Sequence, residues 1–74
     1  MIVTNIDTLN FKAYNAGFRF HIGDAYRQAE YLQKEKAARE VAFPGVDPDG
    51  NSGYMVLGIV PKQGFYYRWQ TNAD

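Results

Sequence analysis

The C-terminal stretch limits the fold more than any other part of this chain. Tyr54 to Val60 is an apolar run without a charge, Pro61-Lys62-Gln63-Gly64 follows, and Phe65-Tyr66-Tyr67-Arg68-Trp69-Gln70 closes it. The first run reads as a central strand and the second as its hairpin partner across a turn. Successive strand side chains point to opposite faces. Phe65, Tyr67 and Trp69 therefore share one face, and Tyr66, Arg68 and Gln70 share the other. A sheet with one apolar face needs a second layer over it.

The remaining residues supply that layer and further strands. Met1 to Ile6 reads as a short strand or arm, and Asp7 to Asn10 as a turn. Phe11–Tyr14 and Phe18–Ile22 read as a hairpin across Asn15-Ala16-Gly17, with Gly17 at positive φ. Phe18, Phe20 and Ile22 then face one way, Arg19 and His21 the other. Asp24 suits a helix N-cap, and Ala25 to about Ala42 is rich in strong helix formers. Glu30–Lys34 and Glu35–Arg39 are i,i+4 pairs in the favourable order. Ala25, Ala29 and Leu32 share one helix face. Lys36 is next on that stripe, and Ala37, Ala38 and Ala42 make the second half rich in small residues. Pro44-Gly45 is expected to end the helix, with a turn cluster from Pro44 to Gly53 and a polar tail from Thr71 to Asp74. The expected fold is α+β: a single domain over residues 1–74, a small antiparallel sheet with one helix on one face, in the order β(β)-β-α-β-β.

Composition excludes several classes. The chain has 74 residues, 46 % of them apolar, with six Tyr, five Phe and one Trp. Cysteine is absent, which removes a disulfide scaffold, a thiolate metal site and a thiol nucleophile. No apolar run reaches the roughly 20 residues that span a bilayer, and the start lacks a signal-peptide pattern. A cytoplasmic location is expected, with no membrane partner. Domains this small rarely hold more than ~3–5 kcal/mol, so the chain is read as a monomer or a homodimer.

Eight basic residues balance eight acidic ones. A general polyanion binder needs a basic surplus instead. The charges are nonetheless sorted. Residues 11–22 and 54–70 carry Lys12, Arg19, Lys62 and Arg68 and no acid, whereas Gly23 to Gly50 carries six acids against four bases. Parity then assigns Arg19, His21, Tyr66, Arg68 and Gln70 to the uncovered sheet face, joined by Tyr14 or Lys12. That face is expected to be basic, aromatic and free of acid. It suits a partner-binding surface, since Tyr and Arg dominate interface hot spots, or a platform for single-stranded nucleic acid. Arg19, His21, Tyr66, Arg68, Tyr14 and Lys12 are the candidate binding residues. The bland alternative is an ordinary solvated β face.

No catalytic constellation stands out. His21 is the one histidine and Ser52 the one serine. A Ser52–His21–Asp24 arrangement lacks a nucleophile elbow. Asp47-Pro48-Asp49-Gly50-Asn51 resembles the start of an EF-hand calcium loop. The pattern then fails, because its glycine falls at Ser52 and its closing Glu at Gly58. Excellent turn chemistry explains those residues without a cation. No cofactor, metal or enzymatic activity is expected.

The hairpin at Phe11–Ile22, the helix AYRQAEYLQKEKAARE and the closing hairpin ending GFYYRW together resemble small phage and prophage accessory proteins. The resemblance implies stoichiometric inhibition: occupation of a host protein or nucleoprotein surface, as anti-CRISPR proteins and polymerase inhibitors do. Direct binding of single-stranded nucleic acid is the alternative.

Overall fold

A computed structural model describes residues 2–35 and 38–71. The fold is α+β, with two helices where one is expected. Its elements are α1 (Ile6–Asn15), β1 (Arg19–Phe20), α2 (Ile22–Glu35), β2 (Arg39–Val46), β3 (Ser52–Val60) and β4 (Gly64–Thr71). The strands form one antiparallel sheet in the order β1-β2-β3-β4.

The first correction concerns residues 11–14, which form no strand. They belong to α1. Its buried positions are Leu9, Asn10 and Ala13, at the i, i+1, i+4 spacing of a helix face. Asn5 caps the helix, its side-chain oxygen accepting the Asp7 N–H at 2.7 Å. Gly17 does take positive φ, at 107°, but it ends a helix rather than turning a hairpin. The Gly17 N–H bonds to the Tyr14 carbonyl and the Phe18 N–H to the Ala13 carbonyl, a Schellman closure. Phe11 is left 70 % exposed on the outer side of α1.

The second correction concerns the end of α2. Ala25, Ala29 and Leu32 are buried on one face as expected, and Asp24 lies in the first turn, three residues into the helix rather than at its cap. The helix is described as far as Glu35, and Arg39 begins a strand paired residue by residue with β3, from Arg39 opposite Ile59 to Val46 opposite Ser52. An apolar central strand needs a neighbour on both sides. That pairing overrides the helix propensity of residues 39–42. Both expected ion pairs form, Lys34–Glu30 at 3.3 Å and Arg39–Glu35 at 3.2 Å, the second bridging helix and strand. The expectations for Met1, for Lys36 and Ala37 on the helix, and for residues 72–74 as a tail lie outside the described residues.

Pro44 sits inside β2 for a reason the hydrogen bonds supply. Val3 and Phe65 exchange two bonds, of 2.8 and 2.6 Å, so the main chain of Phe65 faces away from β3. Alternation through the unbroken register then turns the nitrogen of Pro44 outward, where a missing N–H costs no ladder bond. The expected turn cluster shrinks to the residues between β2 and β3. Of the expected N-terminal strand, the one β bridge among the described residues is Val3 to Phe65.

Both helices pack on one sheet face. Leu9, Leu32, Phe43, Leu57 and Phe65 are at the centre of the core, with Val41, Ile59, Tyr67 and Trp69 at its margin. The parity of β4 is as expected: Phe65, Tyr67 and Trp69 lie on the covered side. Trp69 lies along Gly53 and Gly45, whose added Cβ atoms would stand 2.6 and 3.3 Å from its ring. Phe18 packs on Trp69 from above, with centroids 5.3 Å apart.

Candidate interaction face

Neither described helix lies over the opposite sheet face. Register places Glu40, Gly58 and Tyr66 side by side across β2, β3 and β4, with Ala42, Val56 and Arg68 in the next row and Pro44, Tyr54 and Gln70 in the third. The first row is built around the glycine. Gly58 has no side chain, so the Tyr66 ring lies across β3 in the space a Cβ would fill. The ring thereby spans the central strand, and its hydroxyl donates to Glu40 Oε2 at 2.7 Å. Arg68 reaches the same carboxylate from the second row. Its Nε stands 3.3 and 3.2 Å from the two oxygens, and its Nη2 donates to Oε1 at 2.9 Å. Bidentate contact fixes the guanidinium plane as a single bond does not. Val56, beneath this lattice, is only 3 % exposed although no helix covers it.

The electrostatics follow from those bonds. Glu40 is held below the usual carboxylate range, first by the Arg68 hydrogen bonds and then by the Tyr66 hydroxyl. The Tyr66 hydroxyl is pushed up, chiefly because it donates a hydrogen bond to the Glu40 carboxylate. Arg68 is raised by the same carboxylate. The face therefore is not free of acid, as the sequence suggested: Glu40 occupies it and neutralises Arg68. Reading residues 25–42 as helix hid this acid. The alternation Glu40-Val41-Ala42-Phe43, two apolar and two outward positions ahead of Pro44, is the signal that reveals it.

The other expected site residues are dispersed. Arg19 lies on the sheet's far edge, yet its guanidinium folds back over Tyr14, 5.1 Å from the ring centroid, and donates to the Tyr14 and Phe18 carbonyls at 3.0 and 2.8 Å. It thus completes the end of α1. Tyr14 is on α1 rather than on a strand. Its ring meets Phe20 edge-on at 4.8 Å and its hydroxyl donates to the Phe20 carbonyl. Lys12 is exposed on α1, and His21 is exposed in the link between β1 and α2. The structure brings together Tyr66 and Arg68 of the six, adds Glu40, and places Tyr54 (39 % exposed) and Val46 (36 % exposed) on the same face.

The remaining motifs resolve into structure. Asp24 pairs with Arg27 at 2.9 Å rather than with His21. Asp47 Oδ1 accepts the N–H groups of Asp49 and Asn51 at 3.0 and 2.8 Å, so the loop carboxylate closes its own turn. Among the described residues no three His, Asp or Glu side chains cluster at metal-binding distance, and no helix is long and apolar enough to cross a membrane. An open groove of about 240 Å³ runs between Gln33 and the β3–β4 loop, and among the described residues Lys62 is the charged one lining it.

No protein-family model matches the chain, and no curated protein or solved structure is significantly similar to it.

Proposed function

We propose that this chain is a non-enzymatic protein-binding module that engages its partner through the uncovered sheet face. The observation that carries this reading is the Tyr66–Glu40–Arg68 lattice. A ring whose hydroxyl end sits over Gly58 and a guanidinium held bidentately are fixed before a partner arrives, so little side-chain freedom is lost on binding. Among the described residues Arg68 Nη1 bonds nothing and is left for a partner. Tyr54 and Val46 add apolar area to a polar lattice, the mixture typical of interface hot spots.

Single-stranded nucleic acid is the less favoured partner. Phosphate tracking needs several free cations along one groove. Among the described residues, Arg27, Lys34, Arg39 and Arg68 each pair with a carboxylate. Lys12, Arg19 and Lys62 do not, and they sit on α1, on β1 and in the β3–β4 loop.

The more specific form of the proposal is the one the phage-protein resemblance implies: a cytoplasmic inhibitor occupying a host protein or nucleoprotein complex. Of the features behind that resemblance, the fold keeps the closing hairpin and the front of the helix, and replaces the first hairpin by α1. The test is quantitative affinity capture with three baits: wild type, Tyr54→Ser/Arg68→Gln on the sheet face, and Phe11→Ser on the helix layer. The face variant is expected to lose the wild-type partner at least tenfold, and Phe11→Ser to retain it. Loss with Phe11→Ser and retention with the face variant would move the binding surface to the helices.

A further inference from the structure

The two edges of the sheet are finished differently. On the β2 side, β1 covers Gly45 and Val46, and Pro44 turns its ring nitrogen outward. Both are devices that stop another strand from adding to an edge, and on this side the outward groups of Glu40 and Ala42 alone stay uncovered among the described residues. On the β4 side, Val3 covers Phe65 alone. By the same alternation, the N–H and C=O groups of Tyr67, Trp69 and Thr71 also point away from β3. None of these groups meets a partner among the described residues. Residues 66–71 include no proline and no lysine, and their one charge, Arg68, is tied to Glu40 on the open face.

We propose that this edge joins two copies of the chain, β4 against β4, antiparallel across a two-fold axis. Trp69 then stands opposite the second copy's Trp69, and Tyr67 opposite the second copy's Thr71. Each of these residues gives its free N–H and receives at its free C=O, so the three outward positions are satisfied together. In this register Arg68 falls beside the second copy's Gln70, and no like charges meet. A chain with formal net charge zero at pH 7 also lacks the overall repulsion that keeps copies apart. The two Trp69 rings become a cross-strand aromatic pair on the helix-covered side, a stabilising contact in antiparallel sheets. The four-stranded sheet becomes one of eight strands, and the open faces of both copies look the same way. The proposal goes beyond the partner-binding reading and does not depend on it, since edge and face are different surfaces.

Sedimentation equilibrium from micromolar to millimolar concentration tests it. The wild type is expected to rise with concentration from the 8.4 kDa monomer to twice that mass, with a concentration-dependent change in the emission of its one tryptophan. Thr71→Pro deletes an outward N–H that bonds nothing within the described residues. Gln70→Lys sets cations side by side across the two-fold. Each is expected to weaken self-association at least tenfold while keeping the circular dichroism of the wild type. If Thr71→Pro does not fold, Gln70→Lys decides alone. A wild type that stays at 8.4 kDa throughout, leaving the edge for a foreign strand or for none, would overturn the proposal. So would a dimer undiminished in the folded variants.

Discussion

Single residues on the open face act through their neighbours. Gly58 is there because Tyr66 crosses it, and Tyr66 crosses it to reach Glu40. Gly58→Ala is expected to swing the ring off β3 and break the hydroxyl bond, a loss of about 1 kcal/mol partly offset by the better strand propensity of alanine. The clearer readout is the Tyr66 titration. Its midpoint, raised by Glu40 in the wild type, should fall toward the ordinary tyrosine value in both Gly58→Ala and Glu40→Gln. A midpoint unmoved in both would mean that the hydroxyl does not bond Glu40. The sequence shows Tyr66 and Arg68 as outward residues through simple alternation. It hides Glu40 because Glu and Arg at residues 39–40 extend a run of helix formers.

The elements divide in the same way. The β3–β4 hairpin and the buried face of α2 are legible, since each carries an uninterrupted period: two for the strands, and Ala25, Ala29 and Leu32 for the helix. Helix α1 is harder to read, because Phe11 and Tyr14 suggest a strand while the residues that anchor the helix are Leu9 and Ala13. Its caps are the decisive signal. Asn5→Ala should cost about 0.5–2 kcal/mol by freeing the Asp7 N–H, measured by urea unfolding. An unchanged midpoint would argue that the helix is not capped there. Leu32→Ala should cost about 2–5 kcal/mol, because Leu32 is fully buried between α2 and the sheet. In a domain this small that approaches the whole stability, so the variant is expected to be largely unfolded at 25 °C by circular dichroism. Residues 39–46 show why propensity fails locally: the central strand's need for a second neighbour is a property of the sheet rather than of the segment.

At the scale of the whole molecule, helices on one side leave the other side to a single ion-pair lattice, and pH should report on it. Glu40 is depressed in the fold, so its contribution is complete above the unfolded carboxyl value and is lost as pH falls through the folded one. Tyr66 is raised, so its contribution is complete below the unfolded tyrosine value and is lost as pH rises through the folded one. Wild-type stability should therefore hold a plateau between these limits, and Glu40→Gln should remove this lattice's share of the decline at both ends. Equal declines in both proteins would show that other groups govern them.

Because the chain lacks cysteine, the two-sidedness of the sheet can be measured by thiol labelling of single-cysteine variants. Glu40→Cys, Ala42→Cys, Arg68→Cys and Gln70→Cys are expected to react at nearly the rate of an unfolded peptide, and Val41→Cys and Met55→Cys, which remove little core volume on the covered side, far more slowly. Fast labelling at Val41 and Met55 with protection at Ala42 and Arg68 would put the helices on the wrong face and remove the proposed contact surface.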